Sequence, residues 1–220
     1  MGLVYIEYIS RRAGVDLASF HAGATAGQEG WDDDYGEDRL ILSAGRTWRL
    51  GPEPEYMAVW HTPIAGFERI DAWDRIFRSG EAESGEQPFI QVARIDVAGC
   101  YQPLLEPVQA RHGTYYGEFI RATADLDTIG AFYAERAQGH PQCVLNLLLH
   151  RIGKLAPEPG GLAVWTLPDF SALAEIAAEL DGVQQPVELV NAGTYADLGR
   201  EILCWPENTT AGDEALSPQR

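Results

Sequence analysis

The chain writes one stretch of itself twice, and this repetition limits its fold more than any other property. Residues 46–60, RTWRLGPEPEYMAVW, lie over residues 151–165, RIGKLAPEPGGLAVW, with a constant offset and no gap. Arg46 falls on Arg151, Pro52-Glu53-Pro54 on Pro157-Glu158-Pro159, and Ala58-Val59-Trp60 on Ala163-Val164-Trp165. Each copy is an apolar run, a proline-rich turn and a second apolar run. That is a β-hairpin whose prolines fix φ and cannot continue a ladder. The correspondence extends outward in the same order. Tyr5-Ile6-Glu7 matches Tyr116-Gly117-Glu118, Leu17-x-x-Phe20 matches Ile129-x-x-Phe132, and Ala98-Gly99-Cys100-Tyr101 matches Ala192-Gly193-Thr194-Tyr195. A shared order over that length indicates duplication.

Each copy reads β-α-β-β-α-β. The first is expected to place strands at 3–9, 39–49, 55–61 and 88–97, with helices from Val15 to about Gly27 and over 64–78. The second places strands at 114–121, 142–152, 161–167 and 186–195, with helices over 126–138 and 169–181. Gly99 and Gly193 recur at the last strand of each copy and mark a bulge or a close backbone approach. The expected fold is α+β: two tandem ferredoxin-like units forming an intramolecular pseudo-two-fold α/β barrel. Each sheet carries helices on one face, so its other face must be covered, and two units packed sheet to sheet achieve that around a cavity. The expected boundaries are 1–101 and 113–204 for the repeats, 102–112 for the linker and 205–220 for a polar tail.

A formal net charge of −17 excludes phosphate-rich partners, so neither nucleic acid nor an anionic membrane surface is expected. No apolar run approaches a membrane span of ~20 residues, and the start of the chain lacks signal-peptide character. The three cysteines, Cys100, Cys143 and Cys204, are widely spaced and form no CxxC pair. A disulfide framework and a structural zinc site are therefore not expected, and a cytoplasmic location is the default.

The duplicated βαββαβ order, with its Ala-Val-Trp strand after a proline-rich turn, resembles the dimeric α/β-barrel superfamily, within it the NIPSNAP-like and EthD-like branches. The resemblance covers about residues 3–200 and rests on architecture. It implies a small-molecule enzyme, such as a lyase, isomerase, cyclase or cofactor-free monooxygenase, while some tandem-repeat relatives hold haem.

Alternation along a strand puts Tyr5, Glu7 and Ile9 on one face. Burial of a carboxylate under a helix is costly, so Glu7 and Glu118 are expected on the cavity side, where burial would raise their pKa into the range of a useful base. The competing structural reading pairs each with an arginine of the sheets: Arg94, Arg46 or Arg151. His61, at a strand end where the second copy has Thr166, is a further proton-transfer candidate. Tyr5, Tyr116 and Arg94 are candidate oxyanion stabilisers. Trp31, Trp48, Trp60 and Trp165 are candidate walls for a small apolar or aromatic ligand. The leading expectation is acid–base chemistry without a cofactor; the alternatives are a haem protein, with His21 or His150 as axial ligand, and a non-catalytic ligand-binding barrel. The first copy also carries an acidic insertion over 27–38 with Trp31 and Tyr35, whose spacing is not that of an EF-hand, so no metal is expected there. Free sheet edges leave a homodimer open.

Overall fold

The period-2 alternation of each strand sorts its side chains between two environments, and the sheet closes around one of them. The structure, a computed structural model, describes residues 2–23, 39–47, 51, 54–62, 67–68, 71, 91–110, 113–181 and 185–197. Eight strands are formed: β1 (Leu3–Arg11), β2 (Arg39–Arg46), β3 (Tyr56–Thr62), β4 (Ala93–Pro103), β5 (Thr114–Ala122), β6 (Val144–Arg151), β7 (Gly161–Leu167) and β8 (Val187–Asp197). They pair antiparallel in the closed order β1-β3-β2-β8-β5-β7-β6-β4.

The registers of the two halves correspond. Tyr5 pairs with Trp60 and Glu7 with Ala58 and Ala98; Tyr116 pairs with Trp165 and Glu118 with Ala163 and Ala192. The register shifts occur at equivalent places too, between Tyr8 and Ile9 in β1 and between Phe119 and Ile120 in β5. The halves meet along two short seams. β4 pairs with β6 only from Tyr101 to Pro103, and β2 with β8 only from Ala44 to Arg46.

Beside each seam, the hairpin turn of one half rests on the last strand of the other. The Thr47 amide donates to the Thr194 carbonyl at 2.7 Å, and the Cys100 amide donates to the Leu155 carbonyl at 2.8 Å. Both contacts need glycine. A Cβ on Gly51, whose φ is +90°, would stand 2.0 Å from the Ala192 carbonyl oxygen and 2.6 Å from Gly193. A Cβ on Gly99 would stand 2.7 Å from that of Ala156. Gly99 is thus a close approach inside a continuous strand. β4, expected to end at 97, runs to Pro103 because residues 99–101 pair with β1 and 101–103 with β6, so the expected linker loses its first residues to the sheet.

Leu126–Gly139 (α1) and Ser171–Ala178 (α2, continued by a 3-10 turn at Glu179–Asp181) cover the outside of the second half. Asp125 caps α1, accepting from the Thr128 amide at 2.8 Å. In the first half residues 17–23 are helical, and Asp16 accepts from the Ser19 amide at 2.7 Å. The expected helix over 64–78, the acidic insertion and the tail fall wholly or largely outside the described residues.

The barrel interior is packed. Ile6, Tyr8, Leu42, Met57, Tyr101, Tyr115, Phe119, Leu147, Val164 and Tyr195 form one buried cluster there. The cavity expected between the sheets is filled by these side chains, which are large enough to close an eight-stranded barrel. Two further clusters lie outside, between strands and helices. One joins Tyr116, Ile129, Tyr133, Trp165 and Ile176; the other joins Ile9, Leu17, Phe20, Tyr56 and Ala58.

Candidate functional site

Both carboxylates singled out by the repeat lie in these outer layers, on the helix side of the sheet. The cavity-side placement of Glu7 and Glu118 is therefore corrected, and with it that of Tyr5, Tyr116, Trp60 and Trp165, which share their face through the strand registers. The reason is plain in the second half. Glu118 is fully buried, yet every approach to it carries a donor. Arg136 of α1 reaches it with both terminal nitrogens, at 2.9 and 3.0 Å. Tyr133 donates its hydroxyl at 2.9 Å and Trp165 its indole N–H at 3.3 Å. Arg136 in turn donates to Glu179 at 2.8 Å and to the Ile176 carbonyl at 2.9 Å. Its guanidinium also lies 5.0 Å from the centroid of the Tyr133 ring and 5.1 Å from that of Trp165. Burial works against the Arg136 charge, but hydrogen bonding and attraction from Glu118, with Glu179, hold its pKa above the ordinary value. Burial and the Glu118 charge push the Tyr133 phenol well up. The desolvation cost is met by a complete donor set.

Arg136 is the residue that sequence reasoning missed. Its place in the last turn of α1 reads as a solvated cation complementing the helix dipole. The informative signal was its spacing from Tyr133, three residues, which puts both on the face that α1 turns to the sheet. None of the sheet arginines named earlier serves Glu7 or Glu118. Arg94 pairs with Asp96 at 2.6 Å, Arg151 with Glu158 at 2.6 Å, and Arg46 donates to the Gly51 carbonyl at 2.8 Å.

The first half handles the same position differently. Glu7 receives the Trp60 indole N–H at 3.4 Å, and no cation reaches it among the described residues. Burial, only partly offset by that hydrogen bond, pushes its pKa up to about 7. Tyr5 stands on the same face; burial first, then the charges of Glu7 and Cys100, push its phenol up to about 12. On the helical residues 17–23, fully buried Phe20 stacks on Tyr56 with ring centroids 4.3 Å apart. Its neighbour His21 keeps Nε2 buried with no hydrogen-bond partner among the described residues. Burial, then the Arg11 charge, lowers the His21 pKa, so the ring is neutral near pH 7.

The other candidates are dispersed. His61 is opposite Val4 and Arg39 at the end of β3, in step with Met57 and Val59 of the barrel interior. Arg94 is exposed on β4. His150, at the β4–β6 seam opposite Gln102, has its pKa lowered by burial and then by Arg151. Trp31 and Trp48 lie outside the described residues. His140 is taken up by Glu179, with 2.8 Å between Nε2 and the carboxylate. No group of three or more metal-ligating side chains occurs among the described residues, and no helix among them is long and apolar enough to cross a membrane.

No family model and no curated protein matches the chain. Its fold does match solved structures. A mutant chlorite dismutase from Candidatus Nitrospira defluvii, in complex with cyanide, superposes with a TM-score of 0.56 at 10% identity, covering 91% of this chain and 92% of that one. A haem-binding protein from Thermus thermophilus superposes with a TM-score of 0.55 at 10% identity, covering 90% and 92%. A second structure of the Nitrospira enzyme, in complex with imidazole, gives 0.52 at 10% identity, covering 91% and 93%. The expectation of a protein without a cofactor is overturned by this set, since a neighbour matched almost end to end is a haem binder. The NIPSNAP-like and EthD-like placement gives way to a broader one: a mixed α+β, ferredoxin-like fold shared with chlorite dismutase-like structures.

Proposed function

We propose that this chain binds haem in the first half, where His21 of the helical residues 17–23 would hold the iron. The observation that carries the reading is the buried Nε2 of His21, which has no hydrogen-bond partner among the described residues, on a fold shared with a haem-binding protein. A neutral imidazole with an unused nitrogen is the form that ligates iron. The second half does not fit the same group: Tyr133, Trp165 and the Glu118–Arg136 pair fill its outer layer, and His140 is bound to Glu179. The matched registers also support two ferredoxin-like units derived by duplication, of which only the first kept a ligand layer.

Bound haem would supply redox and ligand-exchange chemistry at its iron. The residues of the chain would do the rest. Phe20 and Tyr56 form a buried aromatic pair beside His21. Glu7, with a pKa near neutrality, can hold or release a proton at its carboxylate, while Trp60 orients that group through its indole N–H. Tyr5 stays protonated and remains a donor.

Titrating the purified chain with hemin tests the reading. A Soret band that saturates at one haem per chain is expected, and His21→Ala should abolish its ligand-dependent position, whereas His150→Ala should leave it in place. Absence of a saturable band, or a spectrum indifferent to His21→Ala, overturns the assignment.

A further inference from the structure

We infer that the barrel mouth between the two proline-rich turns binds a small organic monocation with an aromatic or apolar body. This site is separate from the haem layer and does not depend on it. A cleft of about 310 Å³ opens there, lined by residues from both hairpins and from β1, β4, β5 and β8. Its volume is at the small end of ligand pockets. Both copies of the repeated Pro-Glu-Pro stretch contribute, through Pro54 in the first and Pro157, Glu158 and Pro159 in the second.

The floor is aromatic: Tyr8, Tyr101 and Phe119. Such rings hold a cation by their faces when it is withdrawn from water. The rim is acidic, with Glu55, Asp96 and Glu158. Two of these are already compensated, Asp96 by Arg94 and Glu158 by Arg151, each at 2.6 Å. Glu55 makes no ion pair among the described residues. Among the described residues the rim therefore holds one carboxylate without an ion pair, which favours a single positive charge on the ligand. The net charge of −17 raises the local concentration of cations further.

The inner tyrosines differ between the halves. The Tyr8 and Tyr101 hydroxyls bond at 2.6 Å. In the other half Phe119 takes the place of Tyr8, and Tyr195 that of Tyr101. Tyr195 is fully buried, and its hydroxyl has no hydrogen-bond partner among the described residues.

Calorimetric titration of the full chain with 2-phenylethylammonium chloride tests this, with phenylacetate and 2-phenylethanol as comparators. One-to-one, saturable binding of the amine is expected, with at least a tenfold loss in Glu55→Gln and in Val97→Trp, which fills the cleft from an exposed position of β4. Phenylacetate should not bind. An affinity unchanged by Glu55→Gln, equal binding of phenylacetate, or no saturable binding of the amine overturns the inference. Repeating the titration with His21→Ala keeps the two sites distinguishable, because that variant should bind the amine normally.

Discussion

Glu118 and Glu7 occupy the same position in the two halves, on the same face of the same strand and beside the same tryptophan. One is surrounded by Arg136, Tyr133 and Trp165; among the described residues the other receives only Trp60. The second half has turned a buried carboxylate into a structural centre that ties α1 and the 3-10 turn to the sheet. In the first half no cation reaches it among the described residues, and its pKa is raised. Identical backbone placement therefore says little about role. What decides is which donors the covering segments deliver to the carboxylate.

The largest effect should come from breaking the satisfied site. Arg136→Met strands a buried carboxylate and should cost about 3–5 kcal/mol in urea unfolding, whereas the double variant with Glu118→Leu should recover most of that loss. No recovery would mean that Arg136 acts through its contacts to Glu179 and Ile176 instead. Next is the pH response of Glu7. Its folded pKa of about 7 lies above the unfolded value of 4.5, so the unfolded chain releases this proton first. Glu7 therefore favours folding at low pH, and stability should fall by about 3 kcal/mol as pH rises from 4.5 to 7. Glu7→Gln should flatten that slope and be the more stable protein at pH 8, as measured by unfolding at both ends of the window. The smallest effect belongs to the inner tyrosines. Phe119→Tyr gives the Tyr195 hydroxyl the partner that Tyr101 already has, and should stabilise by about 1 kcal/mol; Tyr8→Phe should cost about as much by removing the existing pair.

The strands and the two hairpins were legible because they rest on short-range patterns: alternation and proline turns. The sharing of one face by Tyr5, Glu7 and Ile9 followed from alternation alone, and the registers agree with it. Which face that was did not follow, because the answer depended on Arg136, eighteen residues from Glu118 and on a different element. An argument from desolvation is only as good as its knowledge of donors. The filled interior was hidden for a similar reason. The Tyr195 ring fits because the position beside it is small: a Cβ on Gly117 would stand 3.2 Å from it. That complementarity appears only once the strands are placed. His21 was visible as a candidate, but the state of its nitrogen was not.

The brevity of the two seams has a consequence for how the molecule comes apart. Each half owns an oily layer beneath its helices, but the aromatics in the middle belong to both, and the ring is held shut on either side by three paired rungs and the hairpin-turn contacts beside them. A chain cut in the linker would yield two pieces, each baring Tyr8 and Tyr101 or Phe119 and Tyr195 to water. Neither piece should stay dissolved alone, so the two halves persist only as one body.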